Sequence, residues 1–127
     1  MNFKIKKISG DASFREFYRV KKGKKTSIIV QAKKEKFKNL ITYVVINKVL
    51  KENNINAPVL LSSHLKDNVI EISDLGKKSF YDLIKKKKNK FTDYKRLINV
   101  LLKLQNIKVK KNYYFQNYQV KLPLYSI

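Results

Sequence analysis

The chain has 127 residues, with 30 Lys or Arg against 9 Asp or Glu, for a formal net charge of +21. This length fits one small domain, or one lobe of a larger protein, and excludes a complete two-lobed enzyme. The 43% of hydrophobic residues excludes a disordered tail, and the lack of cysteine together with a single histidine excludes disulfide scaffolds and thiolate or His-rich metal sites. Short apolar runs and the absence of a signal-peptide core indicate no membrane span and a cytoplasmic location.

The first quarter of the chain predicts three strands. Polar and apolar residues alternate over Lys4–Ser9 and over Phe14–Val20, with a turn signal at Gly10–Ser13 between them. The segment Lys21–Lys25 contains a glycine and predicts a hairpin loop. The β-branched run Ser27–Ala32 predicts a third strand at the centre of the sheet. Short connections of this kind are typical of an antiparallel meander.

The pattern then changes to a helical period. Apolar residues at i, i+3, i+4 and i+7 predict an amphipathic helix over Glu35–Asn53. Two short strands follow, Val59–Ser63 and Val69–Ser73, around a turn at Lys66–Asn68. The predicted fold is therefore α+β, a five-stranded antiparallel sheet with one helix after the third strand. Asp74–Gly76 ends this pattern.

The last third of the chain predicts helices. Apolar stripes over Phe80–Ile84 and Tyr94–Leu104 indicate two helices, the second with Thr92 or Asp93 as its N-cap. The second helix has a strong apolar face but little sequence after it to cover that face. We therefore expect residues 1–73 to form one lobe, and residues 74–127 to form a connector and the start of a truncated helical lobe that continues beyond Ile127.

The basic charge has two interpretations. A field of this strength attracts the phosphates of a nucleic acid, and Tyr113, Tyr114, Phe115 and Tyr118 could stack on its bases. However, only three of the 30 basic residues are Arg. Lys, Asn and Ile, which are abundant here, are all encoded by A/T-rich codons. Nucleic-acid surfaces usually use the bidentate fork of Arg as well. A bias towards A/T-rich codons is therefore the favoured explanation of the high positive charge, and a small basic nucleic-acid-binding domain is the alternative.

Two segments carry a resemblance to a known family. Ser9–Val20, which reads SGDASFREFYRV, resembles the opening motif of the aminoglycoside/choline kinase-like phosphotransferases, and most of all that of the bacterial kinases of N-acetylmuramate and N-acetylglucosamine. Ile70–Gly76, which reads IEISDLG, is similar to the family's segment between its two lobes. Ser79–Ile84 and Leu101–Gln105 continue the likeness, so that it covers nearly the whole chain.

The resemblance implies a kinase-like N-lobe that binds ATP with Mg²⁺. Backbone N–H groups of the Gly10–Ser13 turn, with the Ser13 hydroxyl, could cradle phosphate oxygens. Phe14 would then anchor the loop under the sheet, and the backbone near Glu71–Asp74 would contact adenine. An ordinary hairpin turn remains the plain alternative for the first motif. The candidate nucleotide-binding residues are Gly10, Asp11, Ala12, Ser13, Phe14, Arg15, Lys33, Ser73, Asp74 and Leu75, with Lys34 as a further candidate cation.

The chain also departs from the family. Its third strand has no Lys for the phosphates, and neither Glu35 nor Glu52 is mid-helix, where a partner for that Lys is expected. The only histidine, His64, begins no H-x-D-x-x-x-x-N catalytic loop and is predicted to be a surface residue. We therefore expect no catalytic base or metal ligand here, with Mg²⁺ ligands and the sugar or amino-sugar acceptor site beyond Ile127. This chain alone would be inactive, and a degenerate, non-catalytic kinase lobe is a further alternative.

Overall fold

The computed structural model describes residues 3–8, 14–33, 37–108, 114–115 and 120–121. The predicted phosphate-binding turn, Gly10–Ser13, and the candidate cation Lys34 lie outside the described residues, as do Tyr113 and Tyr118. No helix in the described ranges combines the length and the apolar character needed to cross a membrane.

The centre of the fold is a five-stranded sheet. Its strands are β1 Phe3–Ile8, β2 Arg15–Lys22, β3 Lys25–Ala32, β4 Leu60–His64 and β5 Val69–Ser73. They lie in the order β1-β2-β3-β5-β4, and all neighbours are antiparallel. The predicted α+β class and the five-stranded antiparallel sheet are confirmed, and β3, the strand with the most buried residues, lies at its centre.

Three helices accompany the sheet. The helix α1, Phe37–Glu52, follows β3, and α2, Phe80–Ile84, and α3, Phe91–Gln105, follow β5. A short 3-10 helix, Leu65–Asp67, joins β4 to β5. A separate two-stranded ladder pairs β6, Tyr114–Phe115, with β7, Val120–Lys121.

The hydrophobic core lies between one face of the sheet and α1. Residues directly opposite each other in adjacent strands point to the same face, so the pairs Val30–Ile70 and Ile28–Ile72 lie side by side. Leu40 and Val44 of α1 pack on this face. Four side chains are fully buried there or nearby: Leu40, Ile70, Val30 and Val45.

The predicted hairpin loop is wrong in extent. Lys21 and Lys22 belong to β2 and Lys25 to β3, so that only Gly23 and Lys24 form the turn. Gly23 adopts a φ of +59°, which suits a two-residue hairpin and lets the ladder continue to the Lys22–Lys25 pair. A lysine in a solvent-facing strand position keeps its ammonium in water, so a lysine run does not by itself mark a loop.

Two element boundaries also differ from the prediction. The N-cap of α3 is Lys90, and the Phe91 N–H donates to Asn89 Oδ1 at 3.0 Å, so the expected N-cap at Thr92 or Asp93 is wrong. Asp93 lies in the first turn, and Lys87 Nζ lies 2.9 Å from its carboxylate. The strand β4 is one residue later than predicted, and its register shifts between Leu60 and Ser62.

The helix α3 keeps the apolar stripe that the sequence predicted, and none of its residues is buried. Leu101 is 57% exposed and Ile98 is 54% exposed. Because this face contributes nothing to the core described above, the sheet and α1 hold the hydrophobic centre of the described chain.

A cleft between the sheet and the connector

A cleft of about 280 Å³ opens where the sheet meets the segment that leaves β5. Phe17 of β2 and Ile28 of β3 contribute apolar side chains, and Ile8 lies opposite Phe17 on β1. Ile72 of β5 lies opposite Ile28 and extends the same apolar wall. The remaining lining residues are Arg19, Pro58, Ser73, Asp74, Leu75 and Gly76. The cleft is therefore apolar on the sheet side and polar along residues 73–76, which we call the connector.

Arg19 ties β2 to the connector. Its Nε donates to Asp74 Oδ2 at 2.7 Å, and its Nη2 donates to Asp74 Oδ1 at 3.0 Å and to the Gly76 carbonyl oxygen at 2.8 Å. The Arg19 side chain is 21% exposed and that of Asp74 is 6% exposed. This bidentate ion pair with its third hydrogen bond is called the clasp. Charge-assisted, bidentate contacts of this kind are stronger and more directional than neutral ones.

The hydrogen bonds from Arg19 hold the pKa of Asp74 below its usual range. The Gly76 N–H also donates to Asp74 Oδ1, at 2.9 Å, and lowers this pKa further. Asp74 is therefore ionised at neutral pH and organises both the turn and its link to the sheet.

The connector turns sharply at a glycine. Gly76 has a φ of +100°, which residues with a Cβ rarely adopt. Between the two points that the clasp holds lies Leu75, whose side chain is 75% exposed. Its backbone N–H and C=O have no hydrogen-bond partner among the residues that the structure describes. Leu75, which lines the cleft, thus offers one backbone donor and one backbone acceptor that no described residue uses.

The structure brings three predicted site residues together at the cleft: Ser73, Asp74 and Leu75. The hydroxyl of Ser73 already accepts a hydrogen bond from the Val59 N–H at 2.8 Å, and the Ser73 N–H donates to the Val59 carbonyl. Ser73 is therefore held by the residue just before β4, and it contributes to the cleft wall by its position. The side chain of Glu71 does not line this cleft, because it alternates with Ile72 and faces the other side of the sheet.

Three other predicted residues lie away from the cleft. The Arg15 guanidinium lies 5.2 Å from the centre of the Tyr43 ring on α1. Lys33 is exposed after the end of β3. Phe14 is 58% exposed, so the prediction that it packs under the sheet is wrong. Phe17 of β2 packs against the core, whereas Phe14 precedes the first residue of that strand, Arg15.

Arg19 is the residue that the sequence prediction missed. A signal was present, since Arg19 is one of only three arginines among 30 basic residues. The planar guanidinium makes bidentate contacts that an ammonium cannot, so each arginine of a lysine-rich chain is a candidate for such a contact. The prediction that His64 is a surface residue is confirmed, since it is exposed, but it ends β4 and does not lie in the loop between the two strands, where it was expected.

The described residues contain no group of three or more His, Cys, Asp or Glu side chains that could hold a metal ion. No protein-family model matches the chain, and no curated protein or solved structure is significantly similar to it. The function is therefore argued from the cleft and its connector.

Proposed function

We propose that this chain is the nucleotide-binding lobe of a cytoplasmic ATP-dependent phosphotransferase that acts on the hydroxyl of a sugar or amino sugar. The observation that carries the proposal is the cleft, an apolar slot against the sheet with a polar connector along one edge. Adenine has this same division, with two apolar faces and one hydrogen-bonding edge. Small-molecule sites are typically apolar pockets with a few polar groups that fix orientation.

The order of the elements supports the same proposal. Three strands, one helix, two strands and a connector follow each other as in the kinase-like lobe that the sequence resembles. The cleft also lies at the connector, where that resemblance puts the adenine contacts. Fold order by itself is shared by many unrelated functions, so the argument depends on the cleft.

The phosphate contacts stay a prediction. Ile8, which ends β1, lines the cleft, but the residues predicted to hold the phosphates, Gly10–Ser13, lie outside the described residues. Phosphoryl transfer also needs a base and Mg²⁺ ligands. We propose that a helical lobe of the parent protein supplies them, along with the acceptor site, and that this chain alone has no transferase activity.

The test compares ATP with inorganic tripolyphosphate by isothermal titration of the 127-residue chain, at about 0.15 M and 0.5 M salt. Any protein of this charge attracts phosphates, so tripolyphosphate measures the electrostatic part. We expect ATP to bind about tenfold more tightly than tripolyphosphate at both salt concentrations, and adenosine to compete with ATP. Equal affinities and equal salt dependence for ATP and tripolyphosphate would contradict the proposal.

One observation favours nucleic-acid binding as a second candidate. Lys4 lies directly opposite Lys21, and Lys22 directly opposite Lys25, at the tip of β1, β2 and β3. Like charges in opposite positions repel, and a phosphate bound beside either pair would relieve this repulsion. The two pairs lie on opposite faces of the sheet, because Lys21 and Lys22 are consecutive in β2. Titration of the chain with a single-stranded oligonucleotide, under the same conditions as for ATP, tests this second candidate. Micromolar affinity at about 0.15 M salt, without ATP selectivity, would make this candidate the better one.

A pair of glycine variants tests whether the connector conformation matters for binding. Gly23 and Gly76 both have positive φ, and a Cβ added to either would meet no described atom within 4 Å. We expect Gly23→Ala and Gly76→Ala each to cost about 1 kcal/mol or more in unfolding free energy, because alanine is strained at these angles. Only Gly76→Ala should also weaken ATP binding, since only Gly76 lines the cleft. Equal ATP affinity of the two variants would contradict a role for the connector.

A further inference from the structure

The geometry points to Arg19 as a positioning residue for nucleobase recognition: with Asp74 it forms a clasp that holds the connector in its base-binding shape. This inference rests on the proposed function. We expect the affinity for a nucleobase to depend on the Arg19 side chain, although Arg19 is on β2, 55 positions before Asp74 in the sequence.

The clasp fixes the connector at two points. Arg19 reaches Asp74 through two bonds, of 2.7 and 3.0 Å, and Gly76 through a third, of 2.8 Å. The strand β2 is an interior strand of the sheet, paired with both β1 and β3, so Arg19 starts from a fixed backbone. A guanidinium is rigid and planar, so three bonds from it define both the position and the tilt of the turn.

Leu75 lies between these two points. Because Asp74 also accepts the Gly76 N–H at 2.9 Å, the residues on both sides of Leu75 are engaged. The Leu75 N–H and C=O remain without partners in the described part of the chain. The edge of adenine presents a ring nitrogen acceptor beside an amino donor, which match one backbone donor and one backbone acceptor. A connector that moves relative to the sheet loses this match, and it exposes the cleft to water.

The location of the clasp distinguishes this role from a purely stabilising one. Arg19 and Asp74 both line the cleft. The chain offers a matched comparison in the ion pair between Lys7 Nζ and Glu16 Oε1, which also starts on β2 and measures 2.7 Å. Both of its side chains are exposed, at 59% and 45%, and neither lines the cleft.

The test uses two variants of the whole 127-residue chain. Arg19→Lys keeps the positive charge but removes the planar fork. The double variant Arg19→Met with Asp74→Leu removes every bond of the clasp and replaces the ion pair with apolar side chains, a change that buried pairs often tolerate without loss of stability. Lys7→Met is the control. The measurements are dissociation constants for ATP and for tripolyphosphate, the unfolding temperature, and amide hydrogen exchange by NMR over residues 74–78.

We expect both clasp variants to lose about tenfold in ATP affinity, which corresponds to one or two neutral hydrogen bonds, with tripolyphosphate affinity unchanged. Exchange at Gly76 should accelerate in both, and Lys7→Met should alter neither. ATP affinity within about twofold of the original in the double variant overturns the inference. So does a parallel loss of ATP and tripolyphosphate affinity with a lower unfolding temperature, because that marks a structural role alone.

Failure of the proposed function is distinguishable from failure of the clasp. If the unaltered chain binds ATP no better than tripolyphosphate, the proposed function fails, and hydrogen exchange then decides the positioning claim. Faster exchange over residues 74–78 in both clasp variants, but not in Lys7→Met, supports a clasp that holds the connector. Unchanged exchange overturns it.

Discussion

We expect Leu40→Ala to lower the free energy of unfolding by about 3 kcal/mol. Leu40 is fully buried where α1 packs on the sheet, beside Val30 and Ile70, which are also fully buried. Truncation removes the transfer free energy of the lost methyl groups and leaves a cavity that the strands on one side cannot close. This cost is a large part of the total, since a small domain has only about 5–15 kcal/mol of net stability.

Leu101→Ala is the matched control, since it removes the same atoms from a helix. Leu101 is 57% exposed on α3, so its loss should change the unfolding free energy by less than about 0.5 kcal/mol. Urea unfolding followed by circular dichroism measures both variants. A Leu40→Ala cost no larger than that of Leu101→Ala would contradict the packing of α1 on the sheet.

Asp74→Ala is the second variant with a large expected effect, about 2–3 kcal/mol in unfolding free energy. It leaves the Arg19 guanidinium, 21% exposed, without its charged partner. Partial access to water keeps the cost below that of a fully buried orphan charge. The same unfolding measurement applies, and Glu16→Gln is the control, since its exposed pair with Lys7 should contribute almost nothing. Equal effects of the two variants would contradict the buried character of the clasp.

The clasp also makes a pH prediction. The pKa of Asp74 in the folded chain lies below its usual value of 3.8, chiefly because of the Arg19 hydrogen bonds. A carboxyl with a lowered folded pKa contributes stability that is present above the unfolded pKa and is lost as pH falls through the folded pKa. We therefore expect stability to fall from about pH 5 downward, and to fall less steeply in Asp74→Asn.

Other carboxyl groups do not obscure this comparison. The pKa of Asp82 is lowered to about 2, first by its hydrogen bond from Lys85, and that of Glu16 is lowered as well, first by its hydrogen bond from Lys7. Both groups are present in the unaltered chain and in Asp74→Asn. The difference between the two pH profiles therefore belongs to Asp74, and parallel profiles would show that the clasp does not stabilise the fold.

The elements of the fold were largely predictable because their signals are local. A period of two residues marks a strand with one buried face, and a period near 3.6 marks α3. The helix α1 is confirmed as a helix, but its apolar residues lie around most of its circumference, so the prediction that it is amphipathic is wrong. The β-branched run in β3 indicated the central strand correctly, because a strand with neighbours on both sides contributes most to the core. Two boundary errors fall at Lys21–Lys25 and at the start of α3. Lysines and other polar residues occur both in loops and at the exposed ends of strands and helices, so they do not mark where an element begins.

Part of the candidate site could also be predicted from residues that are neighbours in the sequence. Ser73, Asp74 and Leu75 follow one another in the chain, and their place at the end of the last strand could be predicted from the motif. Arg15 and Lys33 were chosen as candidate phosphate-binding cations, and Phe14 as the anchor of the Gly10–Ser13 loop. The strand register instead directs Phe17 and Arg19 to the cleft face.

The sequence by itself determined the class of fold, the order of its elements and the polar turn that leaves the last strand, because each depends on the properties of neighbouring residues. Only the tertiary structure decided that Arg19 meets Asp74. Arg19 lies opposite Ile28, and Ile28 lies opposite Ile72, so two strand pairings carry the guanidinium to the start of the connector. No local period encodes that contact, since it exists only when three strands are aligned in register.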